Sequence, residues 1–192
     1  VDSLAGCAWT STVLLERAAL GAPSGSVIVA DRQHAGRGSR GRRWLASPQA
    51  SLTFSVLWRF AGGLERLAGL SLAVGLAVVR ALESCGAAGV ALKWPSDVLH
   101  DGAKLGGILV ELQSNTQNDP DSAQAVIGIG LNLTLPDGEI ERDGVALPVA
   151  ALTDALAELP ERHLLFARLL IELASAFDDF SAGGFAALRA DW

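Results

Sequence analysis

The sequence predicts an α+β domain, a mixed and mostly antiparallel sheet with flanking helices. Three observations carry that reading. Strand-like runs come in a block around one long apolar helical pattern, His100-Asp101-Gly102 marks a hairpin between two of those runs, and helical patterns close the chain. Half of the 192 residues are apolar, enough for one sizeable core and not for two.

Residues 9–19 read as a short amphipathic helix with the hydroxyls of Ser11 and Thr12 near its start. A Gly-Ala-Pro-Ser-Gly turn leads into a first strand at residues 26–30, and residues 52–58 alternate as a second. Residues 64–84 carry apolar side chains at helical spacing and predict one long helix lying against the sheet. Residues 89–94 form a short strand stopped by Pro95. The runs 96–99 and 104–112 form the hairpin, residues 115–122 a polar surface loop, and residues 125–133 a buried strand. Its glycines, Gly128 and Gly130, imply that another backbone or a ligand comes close. After a loop at 136–144, helices are expected at 150–159, 161–181 and 184–191, the first two separated by Pro160.

Between the first two strands lies Gln33-His34-Ala35-Gly36-Arg37-Gly38-Ser39-Arg40-Gly41-Arg42-Arg43-Trp44. Arginine interleaved with glycine suits neither a helix nor a strand interior, so the segment is a loop. Freed backbone N–H groups among guanidinium forks make a concave cationic surface suited to phosphate or carboxylate. No Asp or Glu occurs from Arg32 to Leu64, although the chain carries a net charge of −6. Positive charge concentrated locally on an acidic protein fits a small anionic ligand better than a long polyanion. An arginine–glycine segment that meets RNA is the competing reading, and strands pinning both ends argue against it.

Thirteen arginines stand against two lysines, Lys93 and Lys104, placed around the one hairpin. Each has an ordinary explanation, a snorkelling side chain for Lys93 and edge protection for Lys104. Together they suggest compact point charges where arginine is otherwise the rule, as at a reacting phosphate. Cys7 and Cys85 lack metal-ligand spacing and read as small buried hydrophobes of a reducing compartment, so the expected setting is cytoplasmic and no protein-held metal is expected. The longest apolar candidate, residues 67–79, is shorter than the ~18 residues of a membrane span, and no signal-peptide pattern is present.

Four collinear motifs resemble one family, the biotin protein ligases, or biotin–[acetyl-CoA-carboxylase] ligases, of bacteria. They are the loop from Gln33 to Trp44, Lys93-Trp94-Pro95-Ser96-Asp97, the strand from Lys104 to Glu111, and Gly130-Leu131-Asn132. The resemblance implies a catalytic domain related to class II aminoacyl-tRNA synthetases. It further implies two-step chemistry: biotin and ATP give biotinyl-5′-AMP, and a lysine of a biotin carboxyl carrier protein then takes the biotinyl group. Carried over by position, biotin would meet Ser11, Thr12, Gln33, Arg37, Gly38, Ser39 and Lys104, and Asn132 would face the adenosine end. Gly36, Arg40, Arg42, Trp44 and Gly107 complete the expected ligand-binding set. Lys104, Arg37, Lys93 and Asp97 would act on the reacting groups, with Mg²⁺ sharing the neutralisation of charge.

The family's small C-terminal β-barrel and N-terminal DNA-binding helix-turn-helix are missing from this sequence, so residues 1–192 are expected to form a single catalytic domain. The expected partners are the carrier protein and, through sheet edges, a second copy, with neither DNA nor membrane. Lipoate–protein ligase and a non-catalytic biotin- or nucleotide-binding module are the alternatives. Three positions depart from the pattern: Val13 stands where asparagine follows serine-threonine, Ser39 for arginine, and Ser96 for asparagine. Ser39 removes a positive charge from the lid. Release of biotinyl-AMP is therefore expected to be faster from this protein than from a Ser39→Arg variant, and equal release rates would refute that role.

Overall fold

The computed structural model describes residues 1–41, 43–44, 46–114, 122–135 and 148–191. Its strands are β1 (Asp2–Leu4), β2 (Val27–Ala30), β3 (Ser51–Ala61), β4 (Val90–Lys93), β5 (Asp97–His100), β6 (Ala103–Ser114) and β7 (Ser122–Asn132). Its α-helices are α1 (Thr10–Ala19), α2 (Leu70–Ser84), α3 (Leu152–Ala155) and α4 (Arg162–Gly183). The strands form one sheet in the order β1-β2-β3-β7-β6-β5-β4, antiparallel except for the β1–β2 pair.

Strand periodicity divides the sheet into two faces with different work. On β3, Leu52, Phe54, Val56 and Phe60 enter the main core with α2 and α4, and on β7 Ile127, Ile129 and Leu131 do the same. The intervening residues Thr53, Ser55 and Leu57 point the other way, opposite Gly130, Gly128 and Val126 of β7. On that second face α1 covers only one end, packing Leu14 and Ala18 on Ile28, Leu57 and Val126. The rest of that face, around Thr53 and Gly130, is left for the segment between β2 and β3.

The hairpin between β5 and β6 forms as expected. Asp101 and Gly102 both have positive φ, 47° and 80°, as a two-residue turn of the I′ kind requires. Elsewhere the structure departs from the sequence reading. β1, a three-residue strand, has too little pattern to be read alone and exists through its parallel pairing with β2. The long helix is broken: Leu64–Leu67 is a 3-10 turn, and Gly69, at φ 87°, ends it before α2 begins. The helix expected at 150–159 is the single turn α3, whose C-cap Leu156 is already extended as the chain nears Pro160. The last expected helix, Gly184–Asp191, is 3-10 throughout.

By length and composition the stretch Leu64–Ser84 would reach across a bilayer, which corrects the shorter run read from sequence. Most of its apolar residues instead lie in the core, with Ala73, Val74, Ala77, Val78, Ala81 and Leu82 fully enclosed and Leu64 exposed. Cys7 and Cys85 are free thiols, each half-buried, and burial pushes the Cys7 thiol above its usual range. The residues expected as loops at 115–121 and 136–144 lie outside those described.

Phe177 of α4 joins the helical layer to the sheet, its ring 4.8 Å from Trp58 and 6.0 Å from Phe60. It is 1% exposed. Phe177→Ala is expected to cost about 3–5 kcal/mol, read as a lower urea midpoint at unchanged slope. A loss below about 1 kcal/mol would mean that this aromatic cluster is not holding the layers together.

Candidate functional site

The segment between β2 and β3 is a folded finger, not open coil. Its first arm continues the β1–β2 pairing: Gln33 bridges Cys7, and the N–H groups of His34 and Ala35 donate to the carbonyls of Cys7 and Ala8 at 3.0 and 2.8 Å. Its second arm returns on the first through an Arg37–Arg43 bridge and a bond from Trp44 N to Gly36 O of 2.9 Å. Ser39–Gly41 forms a 3-10 turn at the tip. Gly36 is obligatory at the base, because a Cβ there would stand 2.7 Å from the Trp44 carbonyl oxygen.

The finger ends with the Trp44 indole laid on the sheet. A Cβ at Gly130 would stand 2.5 Å from that ring, and one at Gly107, paired with Gly130 on the next strand, would stand 3.6 Å from it. Between finger, sheet and α1 lies a cavity open to solvent on one side. Arg37, Gly38, Ser39 and Trp44 line it from the finger, Trp9, Thr10 and Gln33 from the α1 side, and Asp97, Lys104 and Gly107 from the hairpin.

A row of buried hydroxyls supports one wall. Ser11 Oγ lies 3.0 Å from Ser55 Oγ, Ser55 Oγ 2.7 Å from Thr10 Oγ1, and Thr10 Oγ1 3.1 Å from Gln33 Oε1. Thr10 N also donates to Gln33 Oε1, at 2.8 Å. That amide oxygen can only accept, and each hydroxyl has one hydrogen, so the row donates in one direction, from Ser11 through Ser55 and Thr10 to Gln33. Gln33, which lines the cavity, is thereby left with Nε2 as the free end of its amide, a donor only.

The charges of the site are set in pairs. Lys104 Nζ and Asp97 form an ion pair, with side chains 15% and 16% exposed. The Lys104 backbone is fixed from behind: its N–H donates to Pro148 O and its carbonyl accepts from Ala150 N. The Arg37 guanidinium lies over the Trp9 ring, 5.6 Å from its centroid, a cation–π geometry. Glu111, two residues beyond the cavity-lining Leu109 on the same strand face, has a buried Oε2 with no hydrogen-bond partner among the described residues. Burial pushes its carboxyl above the ordinary glutamate range, with Arg37 pulling the other way. The Trp44 Nε1 is likewise buried without a partner among the described residues.

Of the residues expected at a site, Gln33, Arg37, Gly38, Ser39, Trp44, Asp97, Lys104 and Gly107 meet at this one cavity. Lys93 does not join them. It is exposed at the end of the edge strand β4 and lines a smaller hollow that shares Ser96, Asp97 and Ile108 with the cavity. Thr12 does not line the cavity, where α1 contributes Thr10 instead. Ser11 does not line the cavity; its Oγ bonds Ser55 Oγ and lies against the backbone of Gly128, which does. Asn132 is buried and ties β7 to the returning chain, donating to Ala150 O at 2.9 Å and Lys104 O at 3.4 Å, and does not line the cavity. Gly36 supports the finger from outside the cavity, the backbone of Arg40 belongs to the tip turn, and Arg42 lies outside the described residues. Sequence reading missed Trp9, Thr10 and Ser55. The one available signal was the run of hydroxyls at the start of α1.

Comparison with known proteins gives consistent matches. Residues 5–132 match the Biotin/lipoate A/B protein ligase family. The bifunctional ligase/repressor BirA of Escherichia coli is 38% identical over 169 residues, which cover 88% of this chain and 51% of that protein. A biotin–[acetyl-CoA-carboxylase] ligase of Mycobacterium tuberculosis is 38% identical over 178 residues, 90% of this chain and 62% of that one. The solved biotin protein ligase of Aquifex aeolicus in complex with biotin and ATP superposes with a TM-score of 0.74 at 27% identity, covering 96% of this chain and 74% of that one. The chain thus spans about half the length of the first curated relatives it matches.

The raised carboxyl of Glu111 has a measurable consequence. A proton held more tightly in the folded chain than in the unfolded one gives stability that is complete below the ordinary glutamate pKa and is lost as pH rises through the folded value. Glu111→Gln is therefore expected to melt higher than the parent at pH 7, with the difference closing as the pH is lowered toward 4. A difference independent of pH would show that burial of the charge is not its cause.

Proposed function

Since the chain belongs to the biotin/lipoate A/B protein ligase family, we propose that it activates biotin with ATP to biotinyl-5′-AMP and passes the biotinyl group to a lysine of a biotin carboxyl carrier protein. The observation that carries this reading is the convergence of Arg37, the Lys104–Asp97 pair and the Gln33 amide on one cavity under the finger. The Aquifex aeolicus neighbour, with biotin and ATP bound, and the Mycobacterium tuberculosis relative, by its name, support the same substrate class.

In the first step a carboxylate oxygen of biotin bonds to the α-phosphorus of ATP, and the bond from that phosphorus to the bridging oxygen breaks, so that pyrophosphate leaves with the electron pair. Two anions must be brought together in line, and no general base is required. Arg37 and Lys104 supply the opposing field, while Asp97 holds Lys104 in place. Asp97 is the carboxylate on the cavity wall among the described residues, and these contain no cluster of three or more metal-ligating side chains. That donor set fits Mg²⁺ carried in on the nucleotide phosphates with at most one protein carboxylate, where it would neutralise phosphate charge.

In the second step the carrier lysine's amine attacks the acyl carbonyl, the bond to AMP breaks, and the surplus proton passes to solvent. The finger keeps water from the mixed anhydride in the interval. The setting is the cytoplasm, and the carrier protein, not DNA or membrane, is the partner this acidic chain is read to meet; a homodimer through sheet edges belongs to the same proposal.

The test is pyrophosphate exchange into ATP. Exchange is expected with biotin and not with lipoate, and Lys104→Ala is expected to slow it on the order of a hundredfold. Exchange driven only by lipoate would reassign the chain as a lipoate ligase. Tight biotin binding with no exchange and no transfer to a carrier domain would make it a binding module.

A further inference from the structure

Helix α4 begins with a cation at its unfavourable end. Arg162 is the first residue of the helix, where the backbone dipole favours acidic side chains, and the first turn contains none. Its guanidinium turns back across the molecule. Nη1 donates to Asp31 Oδ1 at 2.8 Å, and Nη2 donates to the Ser51 carbonyl oxygen at 3.3 Å. Asp31 directly follows β2, and Ser51 opens β3. These are the two stems of the finger, and each finger residue that lines the cavity lies between them.

We infer that Arg162 is a positioning residue for the finger: a guanidinium fork from the C-terminal helix that locks the two stems together and thereby sets how firmly the finger closes over its ligand. The planar fork meets the carboxylate and the carbonyl through two separate nitrogens in fixed geometry, where a lysine would have to reach both from one. Its base is rigid, since one turn later Phe166 packs edge-on against Phe54 of β3 at 5.0 Å, and Leu165 and Leu169 are buried. The Arg162 and Asp31 side chains are 32% and 52% exposed, so the ion pair adds little to global stability. What it fixes is the separation of the stems. Just inside this clamp the stems are joined by the β2–β3 ladder, which ends at Ala30 opposite Thr53, and by a hydrogen bond from Thr53 Oγ1 to Ala30 O at 3.1 Å.

What the finger retains rests on the ligase reading above; the clamp itself does not. The test uses the whole chain with Arg162→Ala, Arg162→Lys and Asp31→Asn, the last leaving α4 untouched in case the helix needs residue 162 to fold. Limited trypsin digestion without ligand reports the finger directly, because Arg37 and Arg43 are cleavage sites within it. All three variants are expected to be cut between residues 37 and 43 at least threefold faster than the parent, with no matching fall in melting temperature. They are also expected to release preformed biotinyl-AMP at least threefold faster. Cleavage that is unchanged, or that rises only in step with global unfolding, would overturn the inference, as would faster cleavage with unchanged adenylate release. A parent that forms no adenylate at all would refute the ligase reading, and the digestion alone would then decide the clamp.

Discussion

Gly130 and the Trp44 indole approach each other so closely that no methyl group would fit between them, and the geometry of the site follows from that contact. A side chain at 130 would lift the indole off the sheet, and with it the second arm of the finger, since Trp44 N is bonded back to Gly36 O. Glycine leaves a strand with nothing to pack and weakens it. The deficit is made up on the reverse side of the same strand, where Ile127, Ile129 and Leu131 are buried in the main core. One face of β7 thus holds the fold together while the other is bare enough to accept a ligand and its cover.

The charges around this floor are arranged so that none of the cavity cations is held by a second cation's neighbour. Lys104 is matched by Asp97 and anchored through its backbone to the chain that returns at Pro148 and Ala150, with Asn132 tying the same junction. Arg37 rests on an aromatic face, an attachment that leaves its five N–H donors directed elsewhere. Arg37 and Lys104 thus stand on one cavity, the first against an aromatic ring and the second against a carboxylate.

What the sequence revealed and what it hid divide by distance along the chain. The finger and the β5–β6 hairpin were legible because their chemistry is local: arginine and glycine within a dozen residues, and an Asp-Gly pair at positive φ. The fold class followed from the order of the patterns. Ser55 was not legible as a site residue, because its role comes from a hydroxyl contact with Thr10, 45 positions away, and from the register of β3 on β7. Lys93, suggested by its place at the hairpin as well as by motif likeness, and Asn132, suggested by motif likeness alone, do not line the cavity, the first exposed on an edge strand and the second bonded to the backbone of the returning chain. The break at Gly69 was hidden because an isolated glycine in an apolar run does not disclose its φ.

The single direction of the Ser11–Ser55–Thr10–Gln33 row turns one wall of the cavity into a chemical filter. With its oxygen already occupied twice, the Gln33 amide can present only N–H, so whatever binds there must offer a lone pair. A cyclic urea, with a strongly accepting carbonyl oxygen, satisfies that demand. A dithiolane ring, whose sulfurs accept weakly, leaves a desolvated donor stranded at roughly 1–3 kcal/mol. On the ligase reading proposed above, the preference for biotin over lipoate would rest on that single donor, oriented by the hydroxyls of Ser11, Ser55 and Thr10.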